Sequence, residues 1–163
     1  MADGGRGSVL MTSGNYAEDS LDPALAMMQA EGSLLGLGDA GAHRSIICDA
    51  SATTSTLTYW CRDRVRGARL ALPEAVRKLT SEPAEFFGLS GRGRLAVGYH
   101  ADINVIDPDR LALGVPRMSH DLPAGGRRLV QAAQGYVATL VNGEVVANQD
   151  AFTGALPGRL LAR

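Results

Sequence analysis

The hydrophobic periodicity of this 163-residue chain changes once, near residue 88, and that change limits its fold more than any other feature. Upstream, apolar residues recur at helical spacing. Asp22-Pro23 starts a first helix: Asp22 is placed to cap free N–H groups, and Pro23 loses no bond in a first turn. Leu25, Met28 and Gln29 share a face, and Gly32 ends the helix. Residues 33–38 are short, apolar and without alternation, as in a strand covered on both faces. A second helix is expected over residues 54–66. Its apolar face is Leu57, Trp60, Cys61, Arg64 and Val65, while Arg62, Asp63, Arg66 and Arg69 point away. Pro73 opens a third helix, with Ala75, Val76 and Leu79 inward. Ser81 caps a fourth, with Pro83 in its first turn and Gly88 past its end.

Downstream the pattern favours strands. Leu95 with Val97, then Ile103, Val105 and Ile106, lie between Gly and Asp turns. Residues 126–131 form another candidate, with Arg127-Arg128 as a solvated strand end. Residues 136–141 and 144–147 flank Asn142-Gly143. This is a strong hairpin signal, because a type I′ turn needs positive φ at both central residues. His120-Asp121 reads as a turn pair, and residues 1–20 as a loop with one extended piece. The fold class is therefore α/β to α+β, with a boundary near residues 88–92.

The length suffices for a real core but not for a complete (β/α)8 barrel, which takes about 250 residues. Charged residues are 20% of the chain and the net charge is −1. That balance speaks against nucleic-acid or anionic-membrane partners. No apolar run is long enough to span a membrane. Residues 1–8 have neither a basic nor an apolar leader pattern, so a cytoplasmic location is expected. Cys48 and Cys61 lack the spacing of a zinc or redox pair, so free thiols are expected.

The chemistry-bearing segment is Gly38-Asp39-Ala40-Gly41-Ala42-His43, directly after the apolar run. Residues 36–41 match G-x-G-x-x-G, but no amphipathic helix begins in the turn and no strand follows, so a dinucleotide site is not supported. Asp39 is either a turn aspartate bonded to its own backbone or a carboxylate presented at a strand tip. His43, four positions on, is either a surface histidine or a neighbour of that acid. With three histidines (His43, His100 and His120) and no H-x-H or H-E-x-x-H pair, spacing gives no self-contained metal centre.

Three ordered segments together resemble the C-terminal part of the amidohydrolase superfamily, in its N-acyl-D-amino-acid deacylase branch. The first is residues 35–43, continuing through Ile47-Cys48-Asp49-Ala50-Ser51 to Trp60-Cys61-Arg62-Asp63-Arg64. The second runs from Ala75 to Ala84 and ends at Phe87-Gly88-Leu89. The third is residues 91–93, Leu95, and residues 98–107 (G-Y-H-A-D-I-N-V-I-D). Residues 121–126 and Val141-Asn142-Gly143 extend the match.

The resemblance implies a metal-dependent (β/α)8 barrel carrying a small β-sandwich. Residues 1–90 would hold the last barrel strand and flanking helices, and residues 91–163 the sandwich strands. It implies that Asp39 takes a proton from metal-activated water and passes it to the leaving amine, with His43 in support. Zinc is the implied metal of the full-length enzyme, and N-acylated D-amino acids are the implied substrates. The family's H-x-H pair, bridging residue and middle histidines have no counterpart in this sequence. The chain alone is therefore expected to bind no zinc and to be inactive. The alternative is a non-catalytic remnant or assembly module, with the missing N-terminal part or a second copy as partner.

Overall fold

A computed structural model describes residue 16, residues 18–36 and residues 49–161. Helix α1 is Asp22–Gln29, with proline in its first turn. Asp22 is not the expected cap. It lies inside the helix, Leu21 occupies the cap position, and the Asp22 carboxylate turns to Arg64 instead. A charge-assisted bond to a guanidinium is stronger than a bond to one neutral amide. Gly32 follows the helix at φ +75°. Residues 33–36 of the expected 33–38 strand carry no strand pairing, and the rest of that segment lies outside the described residues.

The expected second helix is one stretch in three registers: a 3-10 turn Asp49–Ser51, helix α2 Ala52–Ser55 and a π-helix Thr56–Asp63. Hydroxyls explain the widening. Thr56 Oγ1 donates to the Ala52 carbonyl (2.9 Å), Thr58 Oγ1 to Thr54 (3.1 Å) and Ser55 Oγ to Ala52 (2.9 Å). Such side chains compete for the carbonyls of the α ladder. The wider register closes with the Arg64 N–H on the Tyr59 carbonyl at 2.9 Å. Leu57, Trp60 and Cys61 face the core as expected, and Arg64 is buried. Val65 is 94% exposed, because the helix ends at Asp63 and Arg64 is extended.

Helix α3 is Leu72–Leu79 and helix α4 is Ser81–Phe86. Ala75 is fully buried, but Val76 is exposed. The buried stem of Lys78 takes up the inner face of α3 and sets its ammonium 3.6 Å from Glu82. Ser81 is the first residue of α4 rather than its cap. Thr80 precedes it, and its hydroxyl donates to the Val76 carbonyl at 2.6 Å. Gly88 lies past the helix at φ +67°.

The strand expected at Leu95 and Val97 is absent, and both side chains are almost fully exposed. Gly91, Gly93 and Gly98 all have positive φ, which breaks the extended ladder around them. Eight strands follow: β1 Ile103–Ile106, β2 Ala112–Leu113, β3 Arg117–Leu122, β4 Gly126–Val130, β5 Ala133–Gln134, β6 Tyr136–Val141, β7 Glu144–Asn148 and β8 Ala151–Phe152. They form an antiparallel sheet in the order β1-β6-β7-β8 and two antiparallel pairs, β2-β5 and β3-β4. No barrel is present among the described residues.

The Asn142-Gly143 turn is as expected, with φ of 50° and 81° joining Val141 to its partner Glu144. His120-Asp121 is not a turn. It lies within β3, and the reversal comes at the 3-10 turn Pro123–Gly125. Asp121 instead takes a two-pronged bond from Arg128 across the pair, at 2.9 and 2.8 Å.

The core is Leu25, Leu70 and Ala75, with Met28, Leu57, Trp60 and Cys61 packed against it. Polar ties join the helices to the strands. Thr54 Oγ1 meets Tyr136 Oη at 2.8 Å, Ser51 donates to Gln131, and Arg62 donates to the carbonyls of Pro108 and Leu111. No described helix is long and apolar enough to cross a membrane.

Candidate functional site

Asp39 and His43, the candidate residues, lie outside the described residues, as does Cys48. The described chain fixes what flanks them. On one side, Ser33 is pinned to the end of α1: its hydroxyl donates to the carbonyls of Ala30 (2.8 Å) and Met28 (3.1 Å). On the other side, Ser51 and Thr54 attach the start of the helical stretch to Gln131 and Tyr136 of the β-rich part. Gln131 in turn donates to the Gly114 carbonyl at 2.8 Å. The segment that bears Asp39 is thus flanked by two short anchored pieces.

Among the described residues Arg64 is a buried cation, although the helical pattern had given it only a place on the apolar face. Its side chain is 1% exposed. It donates to the Asp22 carboxylate and to the Ala68 carbonyl (2.7 Å), and its guanidinium stacks 5.0 Å from the Trp60 ring centre. Its Nε has no hydrogen-bond partner among the described residues. The hydrogen bond from Ser20 and that from Arg64 hold Asp22 below the usual carboxylate range. Gly67, at φ +80°, packs directly against this pair. The cluster is a clamp that ties α1 to the end of the π-helix.

Cys61 is a free thiol, pushed up by burial and, secondarily, by Glu74. Its Sγ contacts the Thr56 carbonyl at 3.3 Å, so it behaves as a packed apolar group and not as a nucleophile. His100 and His120 are far apart in role. His100 Nδ1 lies 3.2 Å from Asn142 Oδ1 at the hairpin end of the sheet, and His120 sits in β3. His100 borders an open hollow of about 530 Å³ with Asn142, Glu144 and Arg159, beside a smaller apolar one of about 320 Å³ under Phe152. Neither hollow gathers a nucleophile, a base and an orienting group. Among the described residues no three His, Cys, Asp or Glu side chains come together to hold a metal ion. The described residues therefore do not fit the metal that the sequence resemblance implies.

The sequence profile of the Amidohydrolase family matches residues 5–147. D-aminoacylase of Alcaligenes xylosoxydans xylosoxydans is 40% identical over 92 residues, which is 56% of this chain and 17% of that protein. N-acyl-D-glutamate deacylase of the same organism is 43% identical over 94 residues, 58% of this chain and 17% of its own. A solved D-aminoacylase structure, described for its binuclear metal center, superimposes with a TM-score of 0.50 at 33% identity. It covers 68% of this chain and 21% of the D-aminoacylase chain. The chain thus spans about a fifth of the length of the relatives it matches.

Proposed function

The chain belongs to the amidohydrolase family, and from that premise we propose that it forms the C-terminal portion of a hydrolase that deacylates N-acyl-D-amino acids. One observation carries the reading. Two relatives at 40% and 43% identity, D-aminoacylase and N-acyl-D-glutamate deacylase, are both named for acyl groups on D-amino acids. In this reading residues 1–90 belong to the barrel side of the subunit and residues 91–163 to its sandwich side.

Amide hydrolysis removes a proton from the attacking water and delivers one to the departing amine. Asp39 is assigned that transfer: its carboxylate accepts the proton and returns it to the nitrogen. His43 is assigned a supporting place beside it. Zinc is proposed as the metal of the complete enzyme, held by donors that the described residues do not supply, so no step through it is assigned to this chain. The chain alone is expected to be inactive toward N-acetyl-D-amino acids.

A chimera tests the reading. This chain replaces the matching segment of the Alcaligenes D-aminoacylase, and hydrolysis of N-acetyl-D-amino acids is measured. Turnover is expected, and Asp39→Asn is expected to lower kcat by about 10²–10⁴-fold with little change in KM. Turnover that survives Asp39→Asn would remove Asp39 from the reaction. A folded chimera without turnover would favour the second reading, a non-catalytic assembly module. The observation behind that second reading is that Val105 and Val145 of the four-stranded sheet are exposed and none of its residues is fully buried.

A further inference from the structure

We propose that Asn142, at the tip of the β6-β7 hairpin, is a latent modification site: the fold holds it back from deamidation, and its conversion to aspartate or isoaspartate releases residues 154–161 from the hairpin. The inference stands apart from the catalytic reading. Asn-Gly offers this reaction little hindrance, because glycine has no side chain to shield its nitrogen. The Gly143 nitrogen gives its proton to solvent and attacks Asn142 Cγ. The new N–Cγ bond forms, the Cγ–Nδ2 bond breaks, and Nδ2 leaves as ammonia with a proton returned from solvent. A five-membered imide remains. Water opens it at either carbonyl, to aspartate or to isoaspartate, which carries one more methylene in the main chain. Asn142 is exposed, so water reaches it.

An attack within one molecule is fast only when the reacting atoms reach a near-attack geometry. Here both partners are held. The Gly143 N–H donates to the Ala101 carbonyl at 2.9 Å. The Asn142 amide is fixed at both ends. Its Nδ2 donates to the Pro157 carbonyl at 3.1 Å. Its Oδ1, which can only accept, lies 3.2 Å from His100 Nδ1, so that nitrogen carries the proton. The Asn142 N–H donates to Asp102 at 2.9 Å. Reaction therefore waits on a local opening that breaks these bonds. The product undoes the clip. A carboxylate has no N–H for the Pro157 carbonyl, and two acceptors then face each other. Among the described residues no other hydrogen bond ties residues 154–161 to the hairpin. Packing does not replace it, since Leu156 and Leu160 are 94% and 96% exposed. In isoaspartate the added methylene also shifts the Val141–Glu144 pairing on which the turn closes.

The test incubates the full chain at neutral pH, in buffer and in guanidinium chloride, and follows the peptide bearing Asn142 by mass spectrometry. Conversion is expected to be about tenfold slower in buffer than in denaturant. His100→Ala frees one end of the amide and is expected to speed conversion in buffer about threefold, with the circular dichroism of the parent chain. Equal rates in buffer and denaturant overturn the proposal. So does a folded His100→Ala chain that converts no faster. A second arm needs no His100 variant. Asn142→Asp imitates one product, and tryptic cleavage after Arg159 is expected to run about threefold faster in it, while cleavage after Arg66 keeps its rate. Cleavage after Arg159 at the parent rate overturns the release of residues 154–161, and with it the proposal.

Discussion

The helical region and the four-stranded sheet are held by different forces. Around Leu70, 1% exposed, three buried side chains from α1, the 64–71 segment and α3 share a core, and Leu57 and Trp60 of the π-helix close it. The sheet has no such centre; every residue of β6 is only half-buried. It persists through its ladder and turn: the β6-β7 hairpin closes at Asn142-Gly143, and Asp102 accepts the Asn142 N–H at 2.9 Å. Burial is non-directional and organises whatever elements meet, whereas a hairpin needs only the right turn and register. The contrast teaches that well-formed strands are not evidence of a completed core.

Substitutions can break this contrast, and Leu70→Ala is the harshest. It deletes packed methyl groups at the centre of the core, and an expected loss of about 2–5 kcal/mol would be read from urea unfolding followed by circular dichroism. An equal loss for Val145→Ala in the sheet would show that the sheet is buried after all.

Next in size is Gly135→Ala. Gly135 sits at φ +97°, and a Cβ there would meet the Leu111 backbone at 2.6 Å. The left-handed conformation alone costs about 1–2 kcal/mol for an L residue, and the clash adds to it. Gly154→Ala, at φ +87° with open space around it, is expected to show only the conformational part. The two denaturant midpoints, compared, separate packing from backbone within one region.

Acid sharpens the comparison further. Folding holds Asp22 below the ordinary carboxylate value, first through Ser20 and then through Arg64. The unfolded chain therefore binds more protons in that range, and stability rises with pH there. The contribution is complete above the unfolded value of about 3.9 and is lost as the pH falls through the lower folded value. Asp22→Asn is expected to flatten the acid dependence of Trp60 fluorescence, since Trp60 stacks on the Arg64 that Asp22 holds. Asp121, held down by Arg128, titrates with the same sign in the β3-β4 pair and should not move that signal.

The smallest effect belongs to Val105→Thr. With Val105 46% exposed, the isolated chain should change by no more than about 0.5 kcal/mol in thermal unfolding. A much larger loss would mean that the apolar sheet face is already covered within the chain.

Local signals proved legible where one residue type forces one geometry. Pro23, Pro73 and Pro83 each fall in the first turn of a helix, or one residue beyond its start, and Asn142-Gly143 makes the reversal its φ preferences demand. Signals failed where two partners competed. Asp22 chose Arg64 over a cap, and Ser81, expected to cap α4, is its first residue, behind a Thr80 whose hydroxyl bonds the Val76 carbonyl. Leu95 and Val97 alternate like a strand, yet the glycines on either side place them in solvent. The candidate carboxylate Asp39 was legible only through its sequence context and family likeness, and it lies outside the described residues.

From the order of its residues alone, this chain was committed to helices before about residue 90, to antiparallel strands after it, and to an amidohydrolase kinship. Those properties depend on neighbours a few positions apart or on short ordered motifs. Three-dimensional packing alone decided that Arg64 would be buried against Trp60 and Asp22, and that no residue of the four-stranded sheet would be fully buried. Each of these outcomes depends on groups distant in sequence that meet over the same charge or surface. Such meetings are settled only when the chain has closed upon itself.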